Sequence, residues 1–211
     1  MADWVAISSL ATAGGTLTLA ATTYASVRSA NRAARAAERS LLAELRPLLV
    51  PSRLDDPQQK IRFADGKHLV APGGGGAVEV TPAAIYLGLS LRNVGSGIGV
   101  LHGWYLYPER RLARDPRAEI EEFTHLSRDL YLPPGDVGFW QGSFRDPDAP
   151  EFAVLSEAVD AGNELTVDIL YGDHEGGQRA VTRFVLSPRP DGAGWLAGAA
   201  RHWNIDRADP R

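Results

Sequence analysis

The stretch from Trp4 to Val27 constrains this chain most: it holds no charged residue and is bounded by Asp3 on one side and Arg28 on the other. As a helix it is about long enough to cross the roughly 30 Å hydrocarbon layer of a bilayer. Val5, Ile7, Leu10, Leu17, Leu19 and Val27 supply apolar bulk, and Ala, Thr, Ser and Gly fill the rest. Thr and Ser hydroxyls can bond the carbonyl one turn back, which makes them tolerable in such a helix. Trp4 and Tyr24 sit near the two ends, where an aromatic belt places such side chains. The expectation is a single membrane anchor over residues 1–27. The rival reading is a buried or self-associating helix.

Charge gives the anchor an orientation. Arg28, Arg32, Arg35 and Arg39 follow it closely and only Asp3 precedes it. The positive-inside bias then places the N-terminus outside, the main domain in the cytoplasm and the chain at the inner membrane as a single-pass protein. An acidic start and the lack of a small-x-small site before the Arg run argue against a cleaved signal peptide. Ser8, Thr12, Thr16 and Ala20 recur every four residues, as small residues do where membrane helices approach each other.

Residues 28–46 keep a helical pattern free of Pro and Gly until Pro47. The four Arg fall on one face and suit contact with anionic lipid headgroups, each contributing on the order of 1 kcal/mol near a surface. A solvated helix face flanking the span is the commoner origin of such a stripe.

From Pro47 the texture changes to short alternating runs divided by Pro, Gly and Asp. Candidate strands are Leu48–Val50, two runs within Ile61–Val70 around an Asp65-Gly66 hairpin, Val78–Val80, Ile85–Leu91 and Ile98–Tyr107. Others follow at 129–132, 137–142, 165–171, 180–186 and 194–204. Ile85–Leu91 reads as a half-buried strand. Gly73–Gly76 reads as a flexible loop, 108–124 as a loop or short helix, and 151–159 as one or two helical turns. Pro133-Pro134-Gly135-Asp136 fits a type II turn with Gly at the left-handed position. Gly95 and Gly97 suggest a left-handed turn after a long strand, with Asn93 bonding its own turn. Many short strands with regular turn signals predict a mainly β protein: an antiparallel sandwich over 47–205, preceded by the long helix and followed by a tail over 206–211.

Two segments carry a resemblance. Leu91-Arg92-Asn93-Val94-Gly95-Ser96-Gly97 ends one strand, and Leu132-Pro133-Pro134-Gly135-Asp136 links two later ones. With Leu45-Arg46-Pro47-Leu48, Tyr171-Gly172-Asp173 and Arg201-His202-Trp203, they resemble uncharacterised actinobacterial membrane-anchored proteins with one immunoglobulin-like β-sandwich domain. That resemblance implies a fold, and no known activity or cofactor.

The chemistry-bearing residues are sparse. A net charge of −4 gives no basic face for nucleic acid. There is no Cys, hence no disulfide, thiolate metal site or Cys nucleophile. The five His lack metalloprotease spacing, and Gly73–Gly76 is not followed by the Lys-Ser/Thr of a phosphate loop. Asp173-His174-Glu175 reads as a polar hairpin tip, with a metal-dependent hydrolase as the alternative. Among the aromatic residues, Trp104, Trp140 and Trp203 are candidate partner contacts. The expectation is a membrane-anchored, non-enzymatic interaction module, with no cofactor and no nucleic acid, that holds a protein partner or a second copy of itself. An outward-facing ligand- or carbohydrate-binding sandwich is the third reading.

Overall fold

A computed structural model describes residues 2–190, 192 and 194–208. It divides the chain into two compact units, one ending at Glu44 and one starting at Leu45. The first is a single helix, α1 (Ala2–Glu44). Thr12, Thr16 and Thr18 each donate their hydroxyl to the carbonyl four residues back, at 2.8 Å. The expected way of satisfying these side chains is therefore present. Every described side chain from Ile7 to Leu41 is exposed. Among the described residues, no helix is long and apolar enough to cross a membrane. The physical reason lies in the stretch itself: three Ser, five Thr and two Gly between residues 4 and 27 dilute the apolar residues. The membrane span expected over 1–27 is unsupported. The side chain of Trp4 lies outside the described ones, and Tyr24 is 68 % exposed on the helix surface.

The second unit is mainly β and antiparallel. Its strands are β1 (Leu49–Pro51), β2 (Gln59–Arg62), β3 (His68–Ala71), β4 (Gly75–Val80), β5 (Ile85–Asn93) and β6 (Gly99–Tyr107), followed by β7 (Thr124–Leu132), β8 (Val137–Phe144), β9 (Leu165–Asp173), β10 (Ala180–Pro188) and β11 (Trp195–Asn204). A 3-10 turn, η1 (Ile120–Glu122), precedes β7, and a helix, α2 (Pro150–Asp160), follows β8. β2 and β3 form a separate hairpin, turned at Gly66 with φ 87°. The other nine strands make one curled sheet. β8 and β5 lead into β4, then β11, β10, β9, β6 and β7, while β1 shares the β4 side of β5.

The curl encloses one main core. Ile85, Leu87, Leu89 and Leu91 of β5 meet Leu165, Val167, Ile169 and Tyr171 of β9, with Trp104, Trp140 and Phe184 between them. α2 closes this core through Phe152, Leu155 and Ala158, which recur on one helical face. Pro150 opens the helix where its missing N–H is harmless.

Both central strands are covered on their outer faces too. The β2–β3 hairpin lies over β5, so Ile61, Phe63 and Leu69 pack on Tyr86. Gly88 makes room there, because a Cβ would meet the terminal methyl of Ile61, which would have to shift. The segment 108–123 straps the outer face of β9 and β10. Arg183 holds it by donating to the carbonyls of Leu112, Asp115 and Pro116 at 3.0–3.2 Å. Its guanidinium also grips Asp168 with two bonds of 2.8 Å, both side chains being fully buried.

Two glycine expectations change. Gly73–Gly76 is buried, not a loose loop. Gly75 and Gly76 form the corner where β4 meets β11, and a Cβ on either would strike the carbonyl of Trp195 or Gly88. Gly95 and Gly97 do not take positive φ. They are needed because the chain around Leu45–Leu48 passes directly over them. Gly135, by contrast, has φ 78°, and the Asp136 N–H donates to the Pro133 carbonyl, as a type II turn requires.

Candidate functional site

β7 and β8 are joined by the four-residue turn Pro133–Asp136, yet among the described residues they form no ladder with each other. β8 pairs only with β5 and β7 only with β6. The register of β7 on β6 runs from Leu130 opposite Leu101 to His125 opposite Gly103, so the intervening residues bulge out of the ladder. Among the described residues each of the two strands has one side without a ladder, and a cleft lined by both separates them.

Trp104 of β6 floors that cleft. It is 4 % exposed and meets Trp140 and Phe144 edge to face, at 5.4 Å in each case. A cavity of about 510 Å³ opens on one side, between Trp104, Leu106 and Phe144 of the sheet and Pro150, Val154 and Leu155 of α2. That size falls within the range of sites for small ligands or side chains, which are mostly apolar with a few placed polar groups. The charged residues in its lining are Glu122, from η1, and Glu151, from the first turn of α2, beside the polar Thr124 and Tyr105.

A second cavity of about 380 Å³ shares Trp104 and Thr124 with the first. It runs between His125 and Leu126 on one bank and Gln141–Ser143 on the other, toward Arg145. The cations at this end already have partners. Arg145 donates to Asp65 at 2.8 Å, and Arg128 spans the banks by donating to Gln141 at 3.0 Å. Asp65 also accepts the Tyr86 hydroxyl at 2.6 Å. That bond holds the Asp65 carboxyl below its ordinary pKa and raises that of Tyr86.

The predicted aromatic contacts separate. Trp104 lies on the cleft floor. Trp140 is fully buried in the main core and offers no surface to a partner. Trp203 is part-buried, with the guanidinium groups of Arg183 and Arg201 over its ring at 4.9 and 5.1 Å. It therefore stacks within the structure. Arg28, Arg32, Arg35 and Arg39 are exposed on α1.

The hydrolase candidates do not assemble. Asp173 accepts the Gly177 N–H at 2.9 Å, shaping the hairpin tip, and His174 lies 3.3 Å from its neighbour Glu175. The five His fall on β3, β6, β7, the β9–β10 tip and β11. Among the described residues, no three His, Cys, Asp or Glu side chains are placed to hold a metal ion.

The cleft was not foreseen from sequence. The only available signal was that Trp104 and Leu106 lie on one strand face and Phe144 ends another. Nothing in the pattern marks the failed β7–β8 pairing.

No protein-family model matches the chain, and neither the curated proteins nor the solved structures give a match. What can be defined is a class: a curled antiparallel β domain with an open cleft, following a long helix.

Proposed function

We propose that this chain is a non-enzymatic interaction module whose β domain holds a protein partner in the cleft between β7 and β8. One observation carries the reading: two strands joined by a tight turn stay apart, above an aromatic floor and beside a cavity of about 510 Å³. Open strand edges usually invite pairing, so folds cover or close them. These edges are left beside a shaped pocket. The two arms of the sheet, β8-β5-β4 and β11-β10-β9-β6-β7, are joined through two residue pairs, Gly76–Trp195 and Gly75–Leu196. That narrow junction supports reading the two arms as the two layers of an immunoglobulin-like sandwich.

α1 gives the module its means of placement. In this reading its contact with a membrane is peripheral: Arg28, Arg32, Arg35 and Arg39 meet anionic headgroups along one face, without insertion.

The test is photo-crosslinking in cells that naturally produce the chain. A photoreactive residue at Thr124, in the cleft, should yield a defined protein adduct, and one at Val94, exposed outside it, should not. Equal adducts at both positions, or none at Thr124, would overturn the reading.

A further inference from the structure

Resting on the cleft as the partner's seat, we infer that its larger cavity receives a cationic side chain of the partner, a lysine with its aliphatic stem. Three observations converge. The walls are apolar and aromatic, with Trp104 and Phe144 at right angles beside Leu155 and Val154. Aromatic faces attract ammonium groups, and aliphatic walls suit the methylene stem that carries one. The lining includes two acidic residues, Glu122 and Glu151. Among the described residues neither is paired with a cation, although eight ion pairs of Lys or Arg with Asp or Glu form elsewhere.

Local structure accounts for where these acids sit and leaves their charge free. Glu122 accepts the Glu119 N–H at 2.8 Å in a capping box, a task one carboxylate oxygen performs. Glu151 occupies the first turn of α2, where the helix dipole favours an acid. Both acidic residues line one aromatic cavity from separate elements, and two like charges there favour a cation over an anion or a neutral group. At the opposite end of the cleft Arg145 is bound to Asp65, and Arg128 donates to the neutral Gln141 amide and keeps its positive charge. The acidic residues lie at the larger cavity, apart from that cation. The cavity's volume exceeds one side chain, which leaves room for the partner's backbone on either side.

The experiment titrates the whole chain with N-acetyl-lysine methylamide and with its neutral analogue, N-acetyl-norleucine methylamide, following the NMR signals of Trp104 and Phe144. Lysine should shift both signals saturably, and norleucine should bind several-fold more weakly. The double variant Glu122→Gln/Glu151→Gln keeps the capping-box bond and should weaken lysine binding about fivefold or more. Equal binding of the two probes, no saturable shift with lysine, or unchanged lysine affinity in the double variant would each overturn the inference. Crosslinking from Thr124 separates the two levels. An adduct that persists in the double variant leaves the cleft as the partner's seat and removes the lysine, whereas loss of the adduct from the unaltered chain removes the seat itself.

Discussion

Asn93 ties together the part of the fold from which the cleft hangs. It is fully buried at the end of β5. Its Oδ1 accepts the N–H groups of Leu48 and Gly95, at 3.1 and 2.9 Å, and its Nδ2 donates to the carbonyls of Gly97 and Leu132, at 2.7 and 2.9 Å. All the bonding capacity of the amide is used. Asn93→Leu would strand two N–H groups and two carbonyls, so chemical denaturation should report a loss of about 3 kcal/mol or more. The Asp168–Arg183 pair makes a different prediction. Arg183→Met leaves the buried Asp168 carboxylate without its cation, with only the long bond from the Tyr107 hydroxyl at 3.5 Å, and should cost about 3–5 kcal/mol. The double variant Asp168→Leu/Arg183→Met should recover part of that loss, because the pair's own desolvation penalty disappears with it. Acid sensitivity follows from the surface pairs. The bond from Arg92 holds the Asp56 carboxyl below its ordinary 3.8, and the bond from Arg179 does the same for Asp206. A depressed folded pKa contributes stability that is present above the unfolded value and is lost as pH falls through the folded one. The thermal midpoint should therefore hold steady above about pH 5 and fall below about pH 4, with a shallower fall in Asp56→Asn.

At the scale of elements, β7 and α1 decide most. The turn signals and alternation in the sequence locate part of each of the eleven strands and α2, because Pro, Gly and Asp punctuate them strongly, but they miss the first half of β7 (expected 129–132, found Thr124–Leu132) and of β4 (expected 78–80, found Gly75–Val80). Burial was harder to read. Ile85–Leu91 alternates like a strand with one wet face, yet β5 is buried on both. Its second face carries Tyr86, Gly88, Ser90 and Arg92, whose partners, such as Ser52 at 2.7 Å from Ser90, come from segments remote in the chain. Pairing is equally non-local, so the gap between β7 and β8 leaves no local signature. For α1 the lesson runs the other way: lack of charge over a long stretch suggested a span, but abundant Ser, Thr and Gly keep the helix short of one. The prediction is that any binding of the chain to anionic vesicles is reversed by high salt, since screened Arg contacts would be all that holds it. Chain retained in the vesicle pellet after high salt and alkaline carbonate would show insertion instead.

For the molecule as a whole, the division at Glu44 and Leu45 predicts that residues 45–211 fold without α1. That fragment should unfold cooperatively at the midpoint of the full chain, as followed by near-ultraviolet circular dichroism. The main core, the β2–β3 cover and the 108–123 strap all lie within it. What the fragment should also keep is the open seam. Amide hydrogen exchange along β8, before and after addition of the partner captured through Thr124, tests that seam most directly. The β8 amides not turned toward β5 should exchange quickly in the free domain and slow markedly when the partner is bound, while those bonded to β5 stay protected throughout. Uniform protection of β8 in the free domain would mean that β7 and β8 are already joined, and would contradict the account.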